Sequence, residues 1–198
     1  MDVAVIDSGG ANIGSVLYAL ERLGARAELT ADAASIRAAS RVILPGVGAA
    51  PPAMARLHQL DLVATLRDLR QPLLGICLGM QLLFERSEEG GTACLGLIAG
   101  TVRRLDPAPG VRIPHMGWNR LAPRRASSLT EGVEDGARAY FVHSYAAPVS
   151  ADCVSSCCHG DEFAAIVQRD NVFGAQFHPE RSAATGARLL RNFLAVPA

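Results

Sequence analysis

Gly75-Ile76-Cys77-Leu78-Gly79-Met80-Gln81 is the stretch around which the rest of the chain is arranged. Before it, Pro72-Leu73-Leu74-Gly75-Ile76 is a short apolar run opened by a proline, the pattern of a buried strand. Leu78 to Arg86 then reads as a helix, with Leu78, Leu82 and Leu83 on one side. Cys77 falls at the junction, with a glycine two residues before it and another two after. A strand that turns sharply into a helix needs small residues on both sides of the corner. It leaves the corner residue accessible at the strand's C-terminal end. A thiol there also lies at the positive end of the helix dipole, which favours the thiolate. The heptad alone is equally compatible with a buried structural cysteine.

Upstream of this corner, strand and helix patterns alternate. Val3-Ala4-Val5-Ile6 is a continuous apolar run, as in a parallel strand covered on both faces. Ser8 to Asn12 is a loop, and Ile13, Val16, Leu17, Leu20 and Leu23 mark one face of a helix, with Asn12 as its N-cap and Gly24 as its stop. Residues 26–30 and 41–44 read as strands, and 60–69 as a helix with Leu62, Val63, Leu66 and Leu69 on one face. Downstream, 99–105, 139–143, 152–158, 164–168 and 172–177 read as strands with little helix between them. A last helix covers roughly 183–194, with Ala183, Ala187, Leu190 and Leu194 as its stripe. The stretches 106–110 and 122–136 read as surface connections. The fold class is α/β: an open, mostly parallel sheet with flanking helices and an antiparallel extension, in one domain spanning 1–198. Ligands on such sheets bind beyond the carboxyl ends of the strands, where Cys77 and the loops after Ile6 and Leu44 all lie.

Composition narrows the function. At 198 residues the chain can bury a full core. Its 19 basic and 19 acidic residues give no net charge, so it lacks the basic field that nucleic acid or an anionic membrane attracts. The start, Met1-Asp2-Val3, has no basic run, and no apolar run approaches a membrane span, so the expected location is the cytoplasm. The five cysteines are irregularly spaced, which argues against a disulfide framework. Cys153, Cys157, Cys158 and His159 lack a second pair of ligands, so neither a metal nor another cofactor is expected.

A cysteine nucleophile needs a base, and the base needs an orienting partner. His178, in Phe177-His178-Pro179-Glu180, is the best of five histidines. In an extended segment His178 and Glu180 point to one side, so the carboxylate can hold one imidazole nitrogen while the other faces the thiol. Taken alone, this tetrapeptide reads as a surface turn; joined to the cysteine at the corner, it reads as the base. An oxyanion site needs the amide of Leu78 and a second donor from Leu44-Pro45-Gly46-Val47-Gly48-Ala49, whose glycines can turn amides toward a ligand.

Cys77, His178 and Glu180 in that order, within Gly-Ile-Cys-Leu-Gly-Met-Gln and Phe-His-Pro-Glu, resemble the triad (class I) glutamine amidotransferases of flavodoxin-like architecture. Leu44–Ala49, Ile113-Pro-His-Met-Gly-Trp-Asn119, Tyr140-Phe-Val-His-Ser-Tyr145 and Phe173–Ser182 are similar, within that family, to the glutaminase subunits of imidazole glycerol phosphate synthases. The resemblance implies Cys77 as nucleophile, His178 as general acid/base and Glu180 as its orienter. It also implies a glutamine and oxyanion pocket of Gly46, Val47, Gly48, Leu78, Gln81, His143, Ser144 and Tyr145. Asn12, His115, Met116, Trp118, Asn119 and Arg181 would face a cyclase subunit, a (β/α)8 barrel, in a heterodimer that takes up ammonia from glutamine. Against the pattern of those subunits, Ser8 replaces an aromatic residue, Ala11 a glycine, Arg181 a lysine and Ala146 a tyrosine. The alternative is a glutaminase serving another synthase, or a related γ-glutamyl cysteine hydrolase.

Overall fold

The computed structural model describes residues 2–9 and 13–197. Its first strand, β1 (Val3–Ile6), is buried along its whole length. The chain then alternates through α1 (Ile13–Arg22), β2 (Ala27–Thr30), α2 (Ala33–Ala38), β3 (Arg41–Gly46), α3 (Ala50–Gln59), α4 (Leu62–Arg67), β4 (Leu73–Cys77) and α5 (Leu78–Leu82). Strands dominate after that: β5 (Phe84–Ser87), β6 (Thr92–Ala93), β7 (Ile98–Arg104), β8 (His115–Arg120), β9 (Ala122–Pro123), β10 (Arg138–His143) and β11 (Tyr145–Ala146). The last three strands, β12 (Cys153–His159), β13 (Asp161–Arg169) and β14 (Val172–Ala175), lead to the closing helix α6 (Ala183–Ala195).

Eight of these strands form the main sheet, in the order β2-β1-β3-β4-β14-β13-β12-β9. β2, β1, β3, β4 and β14 run parallel, and β13, β12 and β9 continue the sheet antiparallel. Strand alternation divides the apolar residues between two cores. Val3, Val5, Ile43, Leu74 and Ile76 pack under α1 and α6 on one face. Ala4, Ile6, Val42, Leu44 and Leu73 pack under α2, α3 and α4 on the other. This two-sided burial is why the inner parallel strands β1, β4 and β14 carry no polar residue, whereas β2 at the edge reads Ala-Glu-Leu-Thr. Among the described residues, no helix is long and apolar enough to cross a membrane.

Gly24 ends α1 as expected, at φ 78 and with its amide on the Glu21 carbonyl. The N-cap expected at Asn12 lies outside the described residues. The expected helix 78–86 is a correction: α5 stops at Leu82, and Phe84–Ser87 is a strand. The carbonyls of Leu82, Leu83 and Phe84 accept the amides of Leu95, Leu97 and Gly96 at 2.8–2.9 Å instead of continuing a helical ladder. The buried stripe of α6 is also displaced, to Gly186, Leu189, Leu190 and Phe193. Close approach sets that face, since a Cβ on Gly186 would lie 1.9 Å from the Pro179 carbonyl oxygen. The polar stretch 122–136 is not all surface connection: β9 forms the sheet edge, and Leu129 is fully buried.

Candidate active site

Three glycines make the corner at Cys77 possible. A Cβ on Gly79 would lie 1.8 Å from the Leu44 carbonyl oxygen, one on Gly75 would lie 2.6 Å from the Gly79 oxygen, and one on Gly46 2.7 Å from the Gly79 nitrogen. The end of β3, the end of β4 and the start of α5 therefore touch backbone to backbone. Squeezed between them, Cys77 takes φ 53 and ψ −111, a conformation that side chains other than glycine rarely adopt. Its sulfur is 3.8 Å from the Val142 carbonyl, to which the thiol donates, and 3.9 Å from the Gln176 amide.

His178 reaches the same corner from the end of β14. Its backbone is held on both sides: its amide donates to the Tyr140 carbonyl at 3.0 Å, and its carbonyl accepts from the Ser182 hydroxyl at 2.7 Å. The Nδ1–H donates to Glu180 Oε1 at 2.8 Å, and the Glu180 side chain is almost wholly buried. Burial by itself would push this imidazole down, but hydrogen bonds with Cys77 and Glu180 outweigh it and raise its pKa to about 10. The raised value favours the protonated ring, which Glu180 holds on one side while the other side faces Cys77. Elsewhere burial dominates thiol titration, pushing Cys94 and Cys153 up to about 11 and Cys157 to about 12.

Cys77 and His178 open onto a cleft of about 280 Å³. Val47, Gly48, Leu78, Gln81, His143, Ser144 and Tyr145 line it, all expected from sequence. Gly46 lies outside this cleft, against the amide of Gly79. Gln81 holds its side chain by donating to the Tyr145 carbonyl at 2.8 Å and to Gln176 Oε1 at 3.0 Å. Sequence reasoning missed Glu89, Pro114 and Val142 in the lining. Glu89 is the only carboxylate among the described lining residues, and its Oε2 also accepts the amide of Ala50 at 2.7 Å. The only sequence signal for it is an acidic pair before the Gly90-Gly91 turn.

A model of the family "Glutamine amidotransferase class-I" matches residues 4–196. The chain belongs to the class-I glutamine amidotransferases. Among similar members, the imidazole glycerol phosphate synthase subunit HisH of Xanthomonas axonopodis pv. citri (strain 306) is 65% identical over 193 residues, 98% of this chain and 96% of that one. The subunit of the same name from Xylella fastidiosa (strain Temecula1 / ATCC 700964) is 62% identical over 197 residues, 100% and 98% of the two chains. Solved structures share the amidotransferase fold at lower identity. One crystal structure of a glutamine amidotransferase matches with a TM-score of 0.76 at 20% identity, covering 98% of this chain and 97% of that one. Another, from Thermotoga maritima, matches at 0.64 and 17%, covering 98% and 82%.

The residues expected on the partner face of this amidotransferase divide in two. β8 alternates, so Met116 and Trp118 point outward at 64% and 47% exposure. Trp118 packs edge-on against Tyr140 at 5.9 Å, and the Arg181 guanidinium lies 5.1 Å from the same tyrosine ring. His115, only 3% exposed, and the Asn119 side chain turn inward instead. Their side chains thus lie on the opposite side of β8 from Met116 and Trp118, and the reason is the two-residue period of a strand. Asn12 and Ala11 lie outside the described residues. Ser8 donates to the Pro45 carbonyl at 3.4 Å, and Ala146 is buried.

Proposed function

We propose that this chain is the glutaminase subunit of an imidazole glycerol phosphate synthase, with Cys77, His178 and Glu180 as its catalytic triad. The observation that carries the chemistry is the shared cleft: a strained corner cysteine and a carboxylate-held imidazole open onto one pocket. The 65% identity to the HisH subunit over 98% of the chain supports the narrower assignment. Residues 1–198 act as one amidotransferase domain in the cytoplasm, since both cores are built on a single sheet.

Glutamine enters with its α-ammonium toward Glu89, the acceptor that the cleft supplies for a cation. The Cys77 thiolate attacks the side-chain amide carbon, and its electron pair forms the C–S bond. The resulting oxyanion takes hydrogen bonds from the amide of Leu78 and from the 46–48 loop; one such donor lowers a barrier by roughly 3–4 kcal/mol. His178 gives its proton to the departing nitrogen, and ammonia leaves as the C–N bond breaks. The glutamyl thioester remains. His178, now neutral, takes a proton from water, whose oxygen displaces the sulfur, and glutamate is released with the thiolate restored. Glu180 holds the ring throughout.

Free ammonia would be protonated in bulk water at neutral pH and lose its nucleophilicity. It therefore passes directly to the cyclase subunit, a (β/α)8 barrel. That subunit adds it to a phosphoribulosyl formimino carboxamide ribotide, giving imidazole glycerol phosphate and an aminoimidazole carboxamide ribotide. No glycine-rich phosphate loop of this chain competes for the phosphorylated substrate, which belongs on the partner.

The test is ammonia release from glutamine by this chain, alone and with a cyclase subunit plus ribotide substrate. Glutamine turnover is expected only in the loaded complex, because the loop at Gly46–Gly48 completes the oxyanion site there. Cys77→Ala should lower it by at least about 10⁴-fold. Equal rates for the lone chain and the complex would remove the loop's gating role, and an active Cys77→Ala would remove the nucleophile.

A further inference from the structure

Two imidazoles in the molecule, those of His115 and His143, are buried and have no part in the triad. They form a chain whose directions are forced by its ends. The His143 Nδ1 lies 2.9 Å from the Tyr145 carbonyl oxygen, which only accepts, so that nitrogen carries a proton. At the far end, the Asn119 amide nitrogen donates to the Cys158 carbonyl at 2.8 Å, and the Asn119 oxygen accepts the Arg120 amide at 2.8 Å. This fixes the orientation of the asparagine, because flipping it would set oxygen against oxygen and nitrogen against nitrogen. Asn119 therefore also donates to His115 Nε2, 3.2 Å away, and that nitrogen is bare. The proton of His115 must then be on Nδ1, 3.0 Å from His143 Nε2, which accepts it. Every donor meets an acceptor, and an added proton on either ring would break one of these bonds.

The ring planes are fixed as well. His115 stacks on His159 at 4.0 Å and on Phe141 at 4.8 Å. His159 is held in turn by donating to the Arg112 carbonyl at 2.7 Å. Burial first, then repulsion from neighbouring imidazoles, pushes His115 down to about 3. Burial likewise holds His143 at about 4, against the hydrogen bond to Tyr145. The relay ends where the cleft begins: the Tyr145 carbonyl receives both His143 and Gln81, and His143, Ser144 and Tyr145 all line the pocket.

We propose that His115 and Asn119 are positioning residues for the glutaminase reaction. They lock His143 as the neutral Nδ1–H tautomer and so fix the pocket segment 143–145, from a strand whose outer side carries Met116 and Trp118. This rests on the glutaminase reading for what the pocket binds, but the relay itself is independent of it. The family resemblance implies these two residues on a partner face, whereas their side chains lie behind that face and reach the pocket through His143.

Long-range proton–nitrogen spectra of the full chain, labelled at the histidine nitrogens, read the tautomers directly. His115 and His143 are expected as neutral rings protonated at Nδ1 at pH 7. An Nε2–H or doubly protonated ring at either position overturns the relay. In the assembled enzyme, His115→Leu keeps apolar bulk but offers no donor, and it should raise KM for glutamine about tenfold with kcat within about twofold. His115→Asn places an amide nitrogen near the lost Nδ1 and should recover most of that loss. Unchanged KM in His115→Leu, or no recovery in His115→Asn, counts against the proposal. If His115→Leu fails to fold, Asn119→Ala replaces it, with a KM rise of about threefold expected and an unchanged KM overturning the proposal. Should the wild-type complex release no ammonia from glutamine, the glutaminase reading falls, and the spectra still decide the relay.

Discussion

Three buried imidazoles sit within one small region and are driven in opposite directions. Burial lowers all three, but at His178 the interactions with Cys77 and Glu180 outweigh it and raise the value to about 10, whereas His143 and His115 stay lowered to about 4 and about 3. In the unfolded chain each titrates near about 6.5. The stabilisation from His178 is fully present below that value and is lost as pH rises through about 10. The contributions of His143 and His115 are fully present above it and are lost as pH falls toward 4 and 3. Urea unfolding between pH 4.5 and 6 should therefore show a slope shallower by about 1.4 kcal/mol per pH unit in His115→Leu than in the parent, one proton's worth. Equal slopes would mean that His115 is protonated normally in the fold. At this scale the sequence singled out Cys77, His178 and Glu180 as triad candidates, since each chemical role needs its own residue type. It did not give up Glu89, or the inward turn of His115 and Asn119, because those depend on which elements close around the cleft.

At the scale of elements, the corner of β4 and α5 depends on contacts that leave no room for a methyl group. Gly79→Ala would bring Cβ to 1.8 Å from the Leu44 carbonyl oxygen, which is backbone and cannot swing aside. A loss of about 3–5 kcal/mol of stability, or failure to fold, is expected by thermal or urea unfolding. Gly48→Ala is the informative contrast. It has nothing within 4 Å, but its φ is +94. That change should cost only about 1–2 kcal/mol in stability while lowering glutamine turnover in the complex, because it strains the loop without touching the core. Intact turnover in Gly48→Ala would argue that the loop supplies no oxyanion donor. The same crowding explains why the sequence marked the corner correctly but overran the helix. Apolar periodicity continues to Arg86, yet the carbonyls that would extend the ladder are taken by residues 95–98.

At the scale of the whole molecule, Met116 and Trp118 remain as large apolar side chains on an exposed strand, beside Tyr140 and Arg181. In the proposed heterodimer this face meets the cyclase. Trp118→Ala should weaken the complex by about 10- to 100-fold in calorimetric titration, with the lone chain's unfolding free energy changed by under about 0.5 kcal/mol. Unchanged affinity would place the docking surface elsewhere. The sequence by itself determined the sheet class and most of the alternation of strands and helices, and it singled out the candidate nucleophile and its base. Those are written in local periodicity, in turn residues and in the few side-chain types able to do the chemistry. Only the tertiary structure decided where α5 ends, which face of α6 is buried, that Glu89 reaches the cleft, and which half of the β8 block looks outward. Each of these is settled by which backbone and side-chain groups meet in three dimensions, for space or for hydrogen bonds, and apolar periodicity carries no record of those meetings.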